Sequence, residues 1–397
     1  MRIIPTQMVK PGMRLGRSVF DPNGRLVIAA GITLHQRLIE LLIKQGYASL
    51  YIADSFGDVD LPELVSLETR QEATRCIADF MKEEAAFAAR NAVKTPFDRA
   101  GDGNLVPKHR REMAFRVARA AELLVNDVLS RSEAIIGLLD IKSLHDYTFA
   151  HSVQVALTSI VVGRVLGYGR DELGVLGAGA LLHDVGKTAV PSRLWGDEAE
   201  LMTGESEGEP THPEAGFDIL RNSGLGLIAA HVAYQHHERW DGSGYPRGLK
   251  DTAILRYARI CAVCDVFDSM TSDGPYKAAS HPYDALSFIV TNSGILFDPQ
   301  VADAFSRVVA PFPVATSVRL STGEVAVVRR LHPEALDRPE VVVVKDPEGR
   351  FYRSPHILDL SKEAELRIEN YTEWNVGPSE RELLEAAGLG GGSTDVG

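Results

Sequence analysis

The stretch Leu181–Pro191, LLHDVGKTAVP, limits the fold more than any other part of the chain. Adjacent His183 and Asp184 cannot share one face inside a helix, but at a helix terminus both can turn toward one cavity. Such an arrangement suits a metal centre. Gly174, Gly177 and Gly179 lie just upstream, each costing a helix about 1 kcal/mol relative to alanine, so neighbouring helices are expected to approach closely there. Gly186 is expected to end the helix.

The surrounding chain supports this reading. From about residue 110 to 310 the pattern is helical almost throughout, and the region gathers His145, His151, His183, His212, His231, His236 and His237. His183-Asp184 and His236-His237 are doublets, and each can give one side chain to each of two metals about 3.5–4 Å apart, the spacing used in phosphate-ester hydrolysis. With His151, His212 and Asp265 the set contains imidazoles and carboxylates and no thiolate. That chemistry suits iron or manganese, with zinc, nickel and cobalt as alternatives. His145 and His231 read as ordinary structural histidines, since His231 points elsewhere on its helix. Asp268 reads equally as support for a ligand or as a plain helix residue.

Composition narrows the class. The formal net charge of -12 argues against a nucleic-acid polymer as partner. No apolar run approaches the roughly 18 residues needed to span a bilayer, and no signal peptide is apparent, so a cytoplasmic protein with no membrane association is expected. Cys76, Cys261 and Cys264 are too unevenly spaced for a disulfide framework, and Cys261 and Cys264 read as packed core thiols.

Taken in order, residues 1–105 read as a small α+β N-terminal domain. It has a hairpin at the Asp21-Pro22-Asn23-Gly24 turn, a helix over 34–45 with Leu34, Leu38, Leu41 and Leu42 at helical spacing, a strand over 49–52, a helix over 72–93 and a loop over 94–104. Residues 110–310 read as an all-helical core, with helices over 113–138, 144–166, 171–184, 213–222, 226–237, 256–271, 283–293 and 299–309. Residues 311–375 form a small β-rich, barrel-like module with strands over 317–320, 324–330, 341–345 and 351–353, and residues 388–397 a disordered tail. The fold class is therefore mainly α.

The run HHERWDGSGYP, His236–Pro246, adds a rigid glycine loop whose backbone can approach a ligand and whose Tyr245 can stack and hydrogen-bond. The order His151, HDVGK (183–187), HPE (212–214), HHE-x-x-DG-x-GYP (236–246) and D-x-x-D (265–268) resembles the HD-GYP family of cyclic di-GMP phosphodiesterases, within the HD phosphohydrolases. The resemblance covers roughly residues 140–310. The N-terminal VKPGMRLG segment is similar to a small domain that often precedes this module, and the C-terminal β-rich segment to the family's common extension.

The resemblance implies that His151, His183, Asp184, His212, His236, His237 and Asp265 hold two divalent metals, with Asp184 bridging them. It makes His183, Asp184 and Lys187 catalytic, and gives Lys187, Gly244, Tyr245, Pro246 and Lys277 contacts to the substrate, cyclic di-GMP. Where some members have a glutamate serving a third metal, this chain has Tyr147, which implies a two-metal site. Where members commonly have arginine, this chain has Gly274, so a guanidinium fork is missing and substrate grip is weakened. Hydrolysis to linear pGpG, which many members of the family cut again to GMP, is the reaction that the resemblance implies. The rival expectations are a cyclic di-GMP receptor with little hydrolysis and a hydrolase of another cyclic nucleotide. The N-terminal domain is the expected place for a homodimer contact or a signalling partner.

Overall fold

The computed structural model describes residues 1–21, 26–47, 49–53, 64–92, 108–131, 147–189, 212–221, 223–272 and 279–372. The expected DPNG turn, the 94–104 loop, the end of the 113–138 helix and the tail lie outside these residues in whole or in part.

The N-terminal unit alternates strands and one helix: β1 (Arg2–Pro5), β2 (Arg14–Leu15), β3 (Val19–Phe20), β4 (Leu26–Ile28), α1 (Gln36–Lys44) and β5 (Ser49–Ala53). Strand β5 lies between β1 and β2, with Ile4 opposite Leu50, while β3 pairs with β4 as the hairpin expectation requires. Leu15, Leu34, Leu42, Leu50 and Ile52 form the centre of its core. Leu41 faces solvent, because Ile39 and Leu42 take the buried face of α1.

The helical unit comprises α2 (Leu67–Ala92), α3 (Lys108–Ser130), α4 (Tyr147–Val165), α5 (Arg170–Leu181), α6 (His212–Leu220), α7 (Leu227–Gln235), α8 (Arg256–Thr271), α9 (Pro282–Thr291) and α10 (Pro299–Ser306). Helix α2, expected with the N-terminal domain, belongs here: Ala73, Ile77 and Phe80 share one buried cluster with Val117, Leu124 and Ile160. Its charged sequence hides an apolar stripe at a spacing of three and four. Glu84 of α2 binds Arg110 of α3 through two hydrogen bonds of 2.7 and 2.5 Å, both groups being largely buried.

Two of the three glycines in α5 permit close approach. A Cβ on Gly177 would lie 3.0 Å from Ile160, and one on Gly179 would lie 3.0 Å from Val232 and 3.3 Å from the backbone of Ala229. Gly174 faces open space and has no such role. Helix α5 stops at Leu181, ahead of the expected end, and a turn through residues 182–184 leads into a 3-10 helix, Val185–Thr188. Gly186 is therefore no helix terminator. A Cβ there would fall 1.8 Å from the carbonyl oxygen of His212, so glycine is what lets α6 pack against this turn.

The C-terminal unit is an antiparallel sheet of β6 (Ser317–Leu320), β7 (Val325–His332), β8 (Ala335–Lys345), β9 (Phe351–Asp359) and β10 (Ile368–Tyr371), in the order β10-β6-β7-β8-β9. The outer strands β10 and β9 do not pair among the described residues, so the barrel-like expectation becomes an open sheet. Strands β8 and β9 extend beyond the expected 341–345 and 351–353 because polar positions such as Glu340, His356 and Asp359 keep the ladder going without an apolar signal. Cys76, Cys261 and Cys264 are buried free thiols, and burial pushes Cys264 up to about 12, as suits core residues.

The Arg110–Glu84 pair yields a stability prediction. Glu84→Ala strands a buried guanidinium and should destabilise the chain by about 3 kcal/mol. Replacing both residues by leucine or methionine should recover most of that loss in calorimetric melts. A single variant that melts like the parent would remove this role from the pair.

Candidate metal centre

Two helix ends build the centre in the same way. His183 follows the last turn of α5, and its Nδ1 lies 2.8 Å from the carbonyl oxygen of Ala180; His236 follows α7, with Nδ1 2.9 Å from the carbonyl oxygen of Ala233. A carbonyl only accepts, so both rings donate from Nδ1 and, when neutral, carry their lone pair on Nε2. Both Nε2 atoms face inward. On α4, His151 is held by Asp268 of α8, with Nδ1 to Oδ2 at 2.6 Å. That contact puts Asp268 directly behind the His151 ring, the position carboxylates commonly take behind metal-binding histidines. His212 opens α6, and Asp265 projects from α8 one helical turn before Asp268.

These side chains converge. His151 Nε2 lies 3.1 Å from Asp265 Oδ1, and His183 Nε2 lies 3.4 Å from Asp184 Oδ2. The other Asp184 oxygen, Oδ1, lies 3.5 Å from His212 Nε2 and 3.8 Å from His236 Nε2. His237 Nε2 is 3.1 Å from His212 Nε2. Three groups have ligand atoms mutually within 4.8 Å: His212, His236 and His237; His151, His183 and Asp265; and His183, Asp184 and His236. Asp184 thus faces two sides of the cavity with different oxygens.

Two observations make the donor set fit divalent metal. His183 Nε2 is buried with no hydrogen-bond partner among the described residues, a costly state for a polar atom. His212 Nε2 also lies 3.1 Å from His237 Nε2 and 3.4 Å from His236 Nε2, so three imidazole nitrogens gather closely enough to share one cation. The charge states of five of the seven groups favour ligation as well, while His151, raised to about 9, would give up a proton on binding a cation. Burial lowers His236 to about 4 and holds His212 and His237 well below their ordinary value, keeping all three neutral. Burial opposes ionisation of Asp184, but Lys187 and the surrounding histidines hold it well below the usual carboxylate range. Asp265 is likewise lowered against burial, by its hydrogen bond to His151.

The remaining expected residues divide. Lys187 Nζ lies 2.7 Å from Asp184 Oδ2, on the rim of the cavity. Tyr245 stacks on His237 with ring centroids 4.8 Å apart and 13° between planes, so the 244–246 loop sits directly beside the centre. Gly244 is obligatory, since a Cβ would lie 2.3 Å from Arg239 N, and the Tyr245–Pro246 bond is cis. Lys277, Gly274 and His145 lie outside the described residues. His231 packs against Phe217 at 5.0 Å, away from the cluster. Sequence reasoning missed Gln235 and Glu238, buried polar residues that flank the histidine pair. No residue-type pattern marks either one, because both accept from backbone N–H groups, those of Arg247 and Leu249 for Glu238 and that of Leu255 for Gln235.

The charge states predict how the metal-free chain responds to pH. Its unfolded form takes up protons on His212, His236 and His237 below the ordinary value of 6.5 while the folded form does not, so stability falls as pH drops from 6.5 toward 4. Burial lowers His151, but hydrogen bonds to Asp265 and Asp268 outweigh it and raise the ring to about 9, so its contribution is lost as pH rises from 6.5 to 9. Chelator-treated protein should therefore melt highest near pH 6.5. A melting temperature flat from about pH 5 to about pH 9 contradicts these charge states.

Residues 141–301 match the HD domain, and residues 317–374 match the KOW domain associated with HD domain. The chain is 34% identical over 274 residues to a cyclic di-GMP phosphodiesterase of Pseudomonas aeruginosa, covering 67% of this chain and 66% of that protein. It is 35% identical over 209 residues to the cyclic di-GMP phosphodiesterase response regulator RpfG of Xanthomonas campestris pv. campestris, covering 51% and 49%. With a cyclic di-GMP phosphodiesterase of Thermotoga maritima it shares 38% identity over 162 residues, covering 40% and 44%. The chain thus spans just under two thirds of the first of these relatives and about half or less of the others. By its HD domain and the HHE-x-x-DG-x-GYP run at 236–246, the chain belongs to the HD-GYP family.

Proposed function

We propose that the chain is a metal-dependent phosphodiesterase that opens cyclic di-GMP to linear pGpG, with GMP as the product of a second cut where one follows. The observation that carries this reading is the convergence of His151, His183, Asp184, His212, His236, His237 and Asp265 into neighbouring nitrogen and oxygen triads around one carboxylate. Those seven residues would hold two divalent ions, with Asp184 between them. Iron or manganese is the expected pair, given a donor set of imidazole and carboxylate, with zinc, nickel or cobalt able to occupy the same ligands. When bound, the ions supply Lewis-acid charge to a phosphoryl oxygen and acidify nearby water.

The chain's own residues do the rest. His183 and His236 keep their Nδ1 protons on backbone carbonyls, so neither ring must change tautomer when it binds a cation. Lys187 sits where its ammonium can turn from Asp184 to a non-bridging phosphate oxygen and offset charge gathering there. Tyr245, stacked on His237, offers its other face to a substrate base, while Gly244 and Pro246 shape the loop beneath it. Lys277, outside the described residues, is assigned a second phosphate contact.

The wider organisation belongs to the same reading. A regulatory N-terminal domain within residues 1–105, the catalytic helical unit and the 311–375 module each have a separate buried cluster. The N-terminal domain is the proposed place for a homodimer or signalling contact. No described helix is long and apolar enough to cross a membrane, and we assign the chain to the cytoplasm. Gly274, standing where a guanidinium is expected, favours as a second reading a receptor that binds cyclic di-GMP and cleaves it slowly.

Protein loaded anaerobically with iron, or with manganese, should open cyclic di-GMP faster than other cyclic nucleotides in a product panel. Asp184→Ala and His183→Ala should lose bound metal by elemental analysis and lose turnover together. A double variant that still hydrolyses near the parental rate removes the enzyme reading; tight binding without product selects the receptor.

A further inference from the structure

We infer that Glu238 is a positioning residue that locks the substrate loop onto His237 and thereby sets the His212, His236 and His237 half of the metal centre. The inference rests on the two-metal reading above and adds a residue to which that reading gives no role. Glu238 is buried, at 2% exposure, and its two carboxylate oxygens accept from the backbone N–H groups of Arg247 at 2.9 Å and Leu249 at 2.8 Å. Those residues immediately follow Tyr245 and Pro246. Holding 247–249 by one rigid carboxylate fixes where the Tyr245 ring lies, and that ring is stacked on His237. The Tyr245 N–H also donates to the His237 carbonyl at 3.2 Å, which closes a small ring of contacts around the ligand.

Gln235, on the other side of the histidine pair, performs a parallel task. Its Oε1 accepts from the N–H of Leu255 at 2.7 Å, at the far end of the loop. In the run Gln235-His236-His237-Glu238 the inner pair therefore faces the centre while the outer pair holds the loop that covers it. Trp240 ties the middle of the loop to the helical unit, donating to the Leu296 carbonyl at 2.9 Å and lying over the Arg259 guanidinium. No charge other than that of Glu238 is spent on the 247–249 backbone among the contacts described. Glutamine at 238 keeps the shape but turns one acceptor into an amide N–H facing another N–H, so one anchor is lost.

The test titrates the full-length, metal-stripped chain with Mn²⁺ alone, by calorimetry and electron paramagnetic resonance. The parent should take up two ions. Glu238→Gln should weaken one of them about tenfold or more while leaving the other within about twofold. Tyr245→Ala, which removes the stacked ring but keeps the anchors, should weaken the same ion, and it decides the matter should Glu238→Gln fail to fold. The double variant should be no worse than the more affected single one, because both changes act through one contact. The inference is overturned if either folded variant binds both ions as the parent does, if both ions weaken equally, or if the two effects add. A parent that binds fewer than two ions defeats the two-metal reading itself, and this inference with it.

Discussion

The centre depends on two backbone carbonyls, those of Ala180 and Ala233. The last turn of any helix leaves carbonyl groups without intrahelical partners, and here those groups receive the Nδ1 protons of His183 and His236. One hydrogen bond in each case satisfies the helix end, selects the tautomer and aims the ring. The histidine that follows a helix end is thereby as fixed as the helix itself. Because each doublet begins in this manner, the second members, Asp184 and His237, emerge toward the same cavity.

Bringing two helix ends together requires that little stand between them. Gly179 lets α5 meet α7 at Val232 and Ala229, and Gly186 lets the turn after α5 touch the first residue of α6. Gly216 of α6 in turn lies against Ala233 of α7 and the backbone of Gly186. The carbonyl of Ala233 that orients His236 thus belongs to a residue packed between these elements. Ligand geometry is therefore set by backbone contact, and rotamer freedom contributes little. Asp268 extends the same logic to α4, where a buried carboxylate replaces the carbonyl behind His151.

Much of this was legible before any coordinates. Doublets, glycines and the 236–246 loop pointed to one cavity, and α8 runs over the expected 256–271, since its apolar and acidic positions leave no competing period. Other features were hidden for physical reasons. Gly186 looks like a helix terminator because a carbonyl contact from distant His212 cannot be read locally. Helix α2 reads as part of the N-terminal domain because charge dominates its composition, while a stripe three and four residues apart carries its packing onto the helical unit. The outer parts of β8 and β9 are polar, and pairing extends them beyond what side-chain character suggests. Glu238 was passed over because its partners are backbone groups nine and eleven residues ahead, which leave no mark on residue type.

The linker after α10 is gripped from both directions. Ile3 N–H donates to the Ala315 carbonyl at 3.0 Å, and the Tyr371 hydroxyl donates to the Pro311 carbonyl while its ring stacks on His281 at 4.0 Å. The first strand of the chain and the last strand of the sheet therefore share a single anchorage a few residues long. A change of backbone in residues 311–315 would therefore be felt at both strands together, and through the Tyr371 ring at the start of α9 as well.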